Sequence, residues 1–392
     1  MNRTFVKKMT ILLLTLLVLS ACNGTTNNIA QQTVIPTNTS ILSPTAAPQP
    51  VFPAFSDWRA AYMASNQSVH AVTLDGKSDI SGPILKQYTN QVYPVNDEIS
   101  PDGHTFAYTS LGNFNIINLQ TGIDANFTDQ NPPFGDVYTA FWSQNGQYMA
   151  VGDNGPDVGI ITMTNYTDFT LPLHLASDQQ IVLIGWIDAS HVAAFIYVGS
   201  ETNGQYDFES ISVPDGRQKV IASLSHTIWN GNLSYPTISP DGSQILVSNE
   251  PFRNYPFTPH VAVINTETGQ VRNFPNIVRQ TGGDFTTVAW RPGYPNSVAI
   301  SNEFNSSNNS GAWMLNLATD SAAFLVKDWS PTAWSPDSKT LILSEAILDE
   351  WISPPFSIEA MTFDSHMRIT SQIILSKSAY GFPFIGFIKT SS

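Results

Sequence analysis

One cysteine, Cys22, is all the chain has among its 392 residues. That excludes an intramolecular disulfide and any zinc site built on paired cysteines. The seven histidines (His70, His104, His174, His191, His226, His260 and His366) are too far apart in sequence to form a local metal motif. HExxH, EF-hand spacing, Gly-x-Ser-x-Gly and a phosphate-binding loop are all missing, so no metal, no cofactor and no catalytic residue is implied by motif. Cations are scarce as well: Lys+Arg 17 against Asp+Glu 31, a net charge of −14. Such a surface repels phosphate backbones and anionic lipid heads, which sets nucleic acid aside as a partner. After residue 21 no stretch longer than ten residues carries a convincing helical period, and the expectation is an all-β domain.

What the front end does contain is a leader. Arg3, Lys7 and Lys8 precede the apolar run Ile11 to Leu19, which is too short to cross a bilayer core needing about 20 helical residues. Leu19-Ser20-Ala21-Cys22 closes it. These four residues resemble the lipobox of bacterial lipoproteins. The resemblance implies cleavage before Cys22, a diacylglyceryl group on its thiol and acylation of the new amino terminus. A short buried N-terminal helix and an unmodified thiol are the competing readings. Cleavage would remove Arg3, Lys7 and Lys8 and no acid, taking the net charge from −14 to −17. Residues 22–54 are rich in Thr, Asn, Gln and Pro without charge, the composition of an extended tether. The expected organisation is therefore a leader over 1–21, a lipid-anchored linker over 22–54 and a folded domain over 55–392.

A short polar turn recurs through that domain. Ile99-Ser100-Pro101-Asp102-Gly103 returns as Ile238-Ser239-Pro240-Asp241-Gly242, with variants at Trp142, Trp186, Trp290 and Trp334. The residue before the turn moves by 43 to 52 positions each time. β-type runs such as TFAYTS, QILVSNE and TLILSEA follow, then a second run and a second turn. Four short strands per unit, repeated, make the blade of a β-propeller.

Both ends bear on the blade count. Ile385-Gly386-Phe387-Ile388 matches Ile184-Gly185-Trp186-Ile187, so the C-terminal segment reads as a first strand. Arg59 to Ser65 reads as a second strand with no first strand before it. The C-terminal strand is expected to complete the N-terminal blade and close a ring of seven four-stranded blades, with no open edge. Six blades and one irregular segment is the alternative.

This turn-and-strand pattern resembles the WD40-like, TolB-type (PD40) propeller repeat over about residues 55–390. The resemblance implies the propeller fold and little about function, because the repeat residues are structural. No α/β domain precedes the ring as in TolB, and seven blades are indicated rather than six, so a Tol-type role is not implied.

Function must then lie in the loops. The connections between second and third strands are long in the last four blades. Two of them, PFRNYPFTP and ILDEWISPPF, combine aromatics, proline and charge, as recognition surfaces do. Phe252, Arg253, Tyr255, Phe257, Trp351 and Phe356 are the candidate contacts, with Trp229 and Trp329 in inter-blade links on the same face. Glu250 and Glu303 both end a Ser-Asn-Glu triplet and form a candidate acidic pair. The four turn tryptophans are expected to pack between blades rather than bind ligand. The resulting expectation is a monomeric, lipid-anchored extracytoplasmic module at a bacterial cell envelope. It would be held to the membrane through Cys22 and would bind an envelope protein or a glycan. The rival expectation is a propeller-type hydrolase or lyase with acidic catalytic residues.

Overall fold

The structure is a computed structural model. It describes residues 51–392 except 65–66, 86–91, 111–112, 128–136, 138, 153–154, 177–178, 200–203, 227, 230–231, 251–257, 284, 303–309, 346–355, 380–383 and 391–392.

Seven four-stranded antiparallel sheets follow one another around a ring. From the innermost strand outward, blade 1 consists of Gly386–Ile388, Arg59–Met63, Ser68–Thr73 and Asp79–Ile84. Blade 2 is Val92–Ile99, Thr105–Ser110, Asn113–Asn118 and Asp124–Asn126; blade 3 is Thr139–Trp142, Tyr148–Gly152, Val158–Thr162 and Thr167–Thr170. Ile181–Asp188, His191–Val198, Gln205–Ser212 and Gln218–Ser225 form blade 4. Asn232–Ile238, Gln244–Glu250, Val261–Asn265 and Val271–Asn273 form blade 5. Blade 6 is Thr287–Trp290, Ser297–Asn302, Gly311–Asn316 and Ser321–Lys327. Blade 7 is Trp329–Trp334, Thr340–Glu345, Phe356–Phe363 and Ile369–Ala379. The expected seven blades are present, and the C-terminal strand pairs with Arg59–Ala61 to complete blade 1. One short helix among the described residues, Pro275–Thr281, links blades 5 and 6, its first N–H groups capped by the Asp320 carboxylate.

The recurrent turn is built the same way four times. Ser100, Ser143, Ser239 and Ser335 are buried, and each Oγ donates to the side chain two residues on, Asp102, Asn145, Asp241 or Asp337. The same Oγ accepts the backbone N–H five residues on, from Thr105, Tyr148, Gln244 or Thr340, at 2.9–3.0 Å. Serine is there because one hydroxyl can satisfy both the turn acid and a strand donor that burial would otherwise leave unpaired. Burial would raise the Asp241 carboxyl, but hydrogen bonds from Ser239 and Ser243 hold it below its ordinary range.

A second backbone bond ties this turn to the turn after the third strand. Leu119 donates to His104, Met163 to Gln147, Val213 to Ser190, Thr266 to Ser243, Leu317 to Asn296 and Phe363 to Lys339. Both turns therefore share one side of each blade, the turn side, and the second-to-third connections lie on the other, the loop side.

Between blades the core is apolar. Trp142, Trp186, Trp290 and Trp334 are all buried, as expected of packing residues. Trp186 Nε1 donates to Phe141 O of the preceding blade at 2.8 Å, and Trp290 Nε1 to Thr237 O at 3.2 Å. Burying one large aromatic ring contributes roughly 2–3 kcal/mol, so these contacts stabilise the ring more than any surface ion pair.

Closure is reinforced by the residues ahead of blade 1. Phe52 and Phe55 join the core shared by blades 1 and 2. Phe55 N donates to Thr390 Oγ1 at 2.9 Å, Thr390 N donates to Phe55 O at 3.2 Å, and Phe52 N donates to Leu119 O at 3.3 Å. Both ends of the described chain thus meet on the turn side.

Candidate functional site

Most of the loop residues singled out from sequence (Phe252, Arg253, Tyr255, Phe257, Trp351 and Glu303) lie outside the described residues, as does Cys22. Glu250 and Phe356 sit at strand ends beside those loops, Glu250 paired with Asn232 and Phe356 with Ala379. Two assignments are corrected. Trp229 is no exposed contact: it is 3% accessible and packs in the core of blades 4 and 5 with Tyr206, Phe208 and Leu224. Trp329 is not in a link but opens the innermost strand of blade 7, half-buried and paired with Glu345. The Trp229 ring is large enough that burial outweighs presenting it to solvent.

What the structure brings together on the loop side is the boundary of blades 4 and 5. Tyr197 and Tyr206 face each other across neighbouring strands, ring centroids 5.3 Å apart. His226 lies 5.7 Å from the first ring and 5.9 Å from the second, and Phe195 adds an edge contact to Tyr206 at 6.1 Å. Burial, helped by Tyr197, pushes the Tyr206 hydroxyl up to about 12, so it stays protonated and can donate. Trp229 continues the cluster by packing on His260 at 5.4 Å, whose imidazole is kept below its ordinary range by burial. Tyr197, His226 and His260 are half-buried, and Ile228 beside them is 58% exposed.

The Ser-Asn-Glu triplet matters here through its asparagine. Asn249 is fully buried; its Nδ2 donates to Thr258 O at 3.1 Å and its Oδ1 accepts His260 N–H at 2.6 Å. It clamps the returning end of the 251–257 connection onto the strand that leads into it. Asn302, the equivalent residue in blade 6, is also buried and donates to Thr281 O at the end of the helix. In blade 7 the Glu345 carboxylate accepts Ser357 N–H at 3.3 Å across the base of the next long connection. Sequence reasoning picked the acids of this motif, although the composition of the triplet already offered an amide that can bond in both directions.

A row of polar side chains inside the blades was also missed. His70, Asn115, Glu209 and Glu359 stand two residues before Val72, Ile117, Ile211 and Met361, which pair with Ala60, Phe106, Val192 and Leu341. They therefore occupy one repeat position on the third strand. In blade 1, Tyr62 Oη donates to Asp79 at 2.6 Å, His70 Nδ1 lies 3.2 Å from the same carboxylate, and His70 Nε2 lies 3.0 Å from Ser68 Oγ. That is the order of a Ser-His-Asp relay, yet Ser68 is 1% accessible, so its hydroxyl is no open nucleophile. Glu209 and Glu359 are buried, and burial raises both carboxyls, opposed by hydrogen bonds from Gln218 and Gln372. Among the described residues no group of three or more His, Cys, Asp or Glu could hold a metal ion.

Two clefts of about 240 and 250 Å³ are present, one between the turns of blades 2 and 3 and one on blade 4. Ser100, Asp102, Trp142 and Tyr166 line the first, and His191, Ser210, Arg217 and Lys219 line the second. In the second, Arg217 pairs with Asp215 at 2.6 Å and His191 with Asp188 at 3.0 Å, so it presents little net charge.

No family model matches the sequence. No curated protein matches it either. Among solved structures, an oligogalacturonate lyase from Vibrio parahaemolyticus superposes with a TM-score of 0.56 at 13% identity, over 83% of this chain and 87% of that one. An oligogalacturonate lyase in complex with manganese gives 0.54 at 11% identity, over 83% and 86%. At such identities the likeness is one of fold, and this chain is a seven-bladed β-propeller.

Proposed function

We propose that the chain is a lipid-anchored, extracytoplasmic propeller of the WD40-like, TolB-type repeat that binds a protein or glycan of the cell envelope through its loop side. The carrying observation is the Asn249 clamp. It fixes the base of the connection bearing Phe252, Arg253, Tyr255 and Phe257 beside the half-buried Tyr197, His226 and His260. Aromatic and histidine side chains on a rigid scaffold, with an exposed apolar residue next to them, are what recognition surfaces are made of. The deciding experiment is cross-linking capture from intact envelopes, comparing the unaltered chain with one lacking residues 251–259. A partner captured equally well by both would overturn the assignment to this face. For the anchor, cells are labelled with a fatty-acid probe and the label is expected to vanish in Cys22→Ala.

The enzyme reading rests on Glu209 and Glu359, two buried carboxyls at one repeat position that burial raises. Turnover of oligogalacturonate by the purified chain, with and without added manganese, is its direct test, and turnover that disappears in Glu209→Gln or Glu359→Gln would favour it over binding.

A further inference from the structure

On the turn side, the boundary of blades 6 and 7 holds a buried guanidinium without a counter-charge and a buried indole N–H without an acceptor among the described residues. Blade 6 departs from the recurrent turn: Arg291 stands where four other blades carry serine, and its N–H still closes the turn onto Ser297 O at 3.1 Å. A serine hydroxyl is satisfied within its own turn. An arginine is too long for that and reaches across to blade 7. There Nε donates to Ser338 O at 2.9 Å, Nη1 points to Met367 Sδ, and the guanidinium lies 4.0 Å from the Tyr294 ring and 5.0 Å from the Trp334 ring.

Each of these partners is neutral. Arg291 is 6% accessible, and among the described residues no carboxylate pairs with it. The acids of the adjoining turns are engaged elsewhere, Asp337 by Lys339 at 3.8 Å and Asp364 by Arg368 at 2.7 Å. A buried charge without a counter-charge is disfavoured, and burial accordingly lowers the Arg291 pKa. The second donor is Trp334 Nε1, buried and without a hydrogen-bond partner among the described residues. Its counterparts Trp186 and Trp290 bond to the preceding blade. Trp142 Nε1 is also unanswered, so what marks this boundary is the lone indole N–H together with an unneutralised guanidinium.

We propose that this boundary is a carboxylate-binding site in which Arg291 and Trp334 are the donors and Tyr294 is the outer wall. A carboxylate is planar and monovalent. It offers one oxygen to the guanidinium and one to the indole N–H, and it neutralises one positive charge. Tyr294, 50% exposed, lies over the guanidinium and is the side chain an entering anion must pass.

The test uses the full-length chain and acetate as the probe. The indole N–H resonance of Trp334, assigned by its loss in Trp334→Phe, is followed while sodium acetate replaces sodium chloride at constant ionic strength. A saturable downfield shift is expected, with an apparent Kd at least an order of magnitude weaker in Arg291→Gln and retained binding in Tyr294→Ala. If Arg291→Gln does not fold, the Arg291 Nε–H resonance of the unaltered chain substitutes, and it must move with the same midpoint. Absence of a saturable shift in the unaltered chain, an equal shift with chloride, or unchanged binding in Arg291→Gln would each overturn the proposal.

Discussion

Gly386 in the C-terminal strand lies directly against Ile99, the residue before the turn of blade 2. A Cβ built on Gly386 would meet Ile99 Cγ1 at 2.5 Å, and the glycine backbone sits at φ +136°. Gly185 has the same relationship with Ile238 of blade 5, at 2.6 Å and φ +146°. Glycine before the aromatic thus makes room for an isoleucine of the next blade.

Replacing Gly386 with alanine combines overpacking with a strained backbone at the seam, and about 3 kcal/mol of destabilisation is expected. Chemical denaturation measures it, and Ile99→Ala in the same chain should recover part of the loss by removing the clash.

Ser335→Ala strips the turn of blade 7 of both roles of one hydroxyl and leaves the Thr340 N–H buried without an acceptor. The expected loss is about 1–3 kcal/mol. Ser239→Ala should lose a similar amount, and the double variant should be additive because the two turns share no hydrogen-bond partner.

Asn249→Ala removes the acceptor of the His260 N–H and the donor to Thr258 O. Amide exchange at His260 should accelerate while strand amides of blade 1 stay protected, so the global fold is expected to survive. Asn249→Asp keeps the acceptor and should restore protection at His260 alone.

The Glu359 carboxyl is raised in the fold by burial, and its Oε1 has no hydrogen-bond partner among the described residues. A raised carboxyl favours the fold most when protonated, below the unfolded value. That contribution is lost as pH rises through the folded value. Glu359→Gln should therefore melt higher than the unaltered chain at pH 8, with the difference closing as pH falls toward 4. A Tm difference independent of pH would show that burial of the charge is not the cause.

Much of this architecture was legible in the sequence because the repeat signals itself locally. Pro, Asp and Gly fix a turn within four residues, and alternation fixes the strands beside it. The Ile-Gly-aromatic match between residues 184–186 and 385–387 correctly placed the last strand in the first blade. The sequence could not say that Ser100 and its equivalents serve two bonds at once, because the second partner lies five residues on in the next strand. Nor could it place Trp229 in the core, since an aromatic in a link looks the same whether it faces inward or out. The row formed by His70, Asn115, Glu209 and Glu359 escaped notice because its members share a position but no residue type. Arg291 hid in a degenerate copy of the turn, where the departure from serine read as noise.

The bonds between Phe55 and Thr390 have a consequence for how the molecule can be rebuilt. Because the first and last described segments are already side by side, a short peptide joining Thr390 to Val51 would follow a path the chain nearly takes. New ends could then be opened in any second-to-third connection. A permuted chain starting in the 346–355 connection would exchange the three-residue closing strand for a full hairpin divided between its two ends. The seam belongs to the order of the gene rather than to the ring.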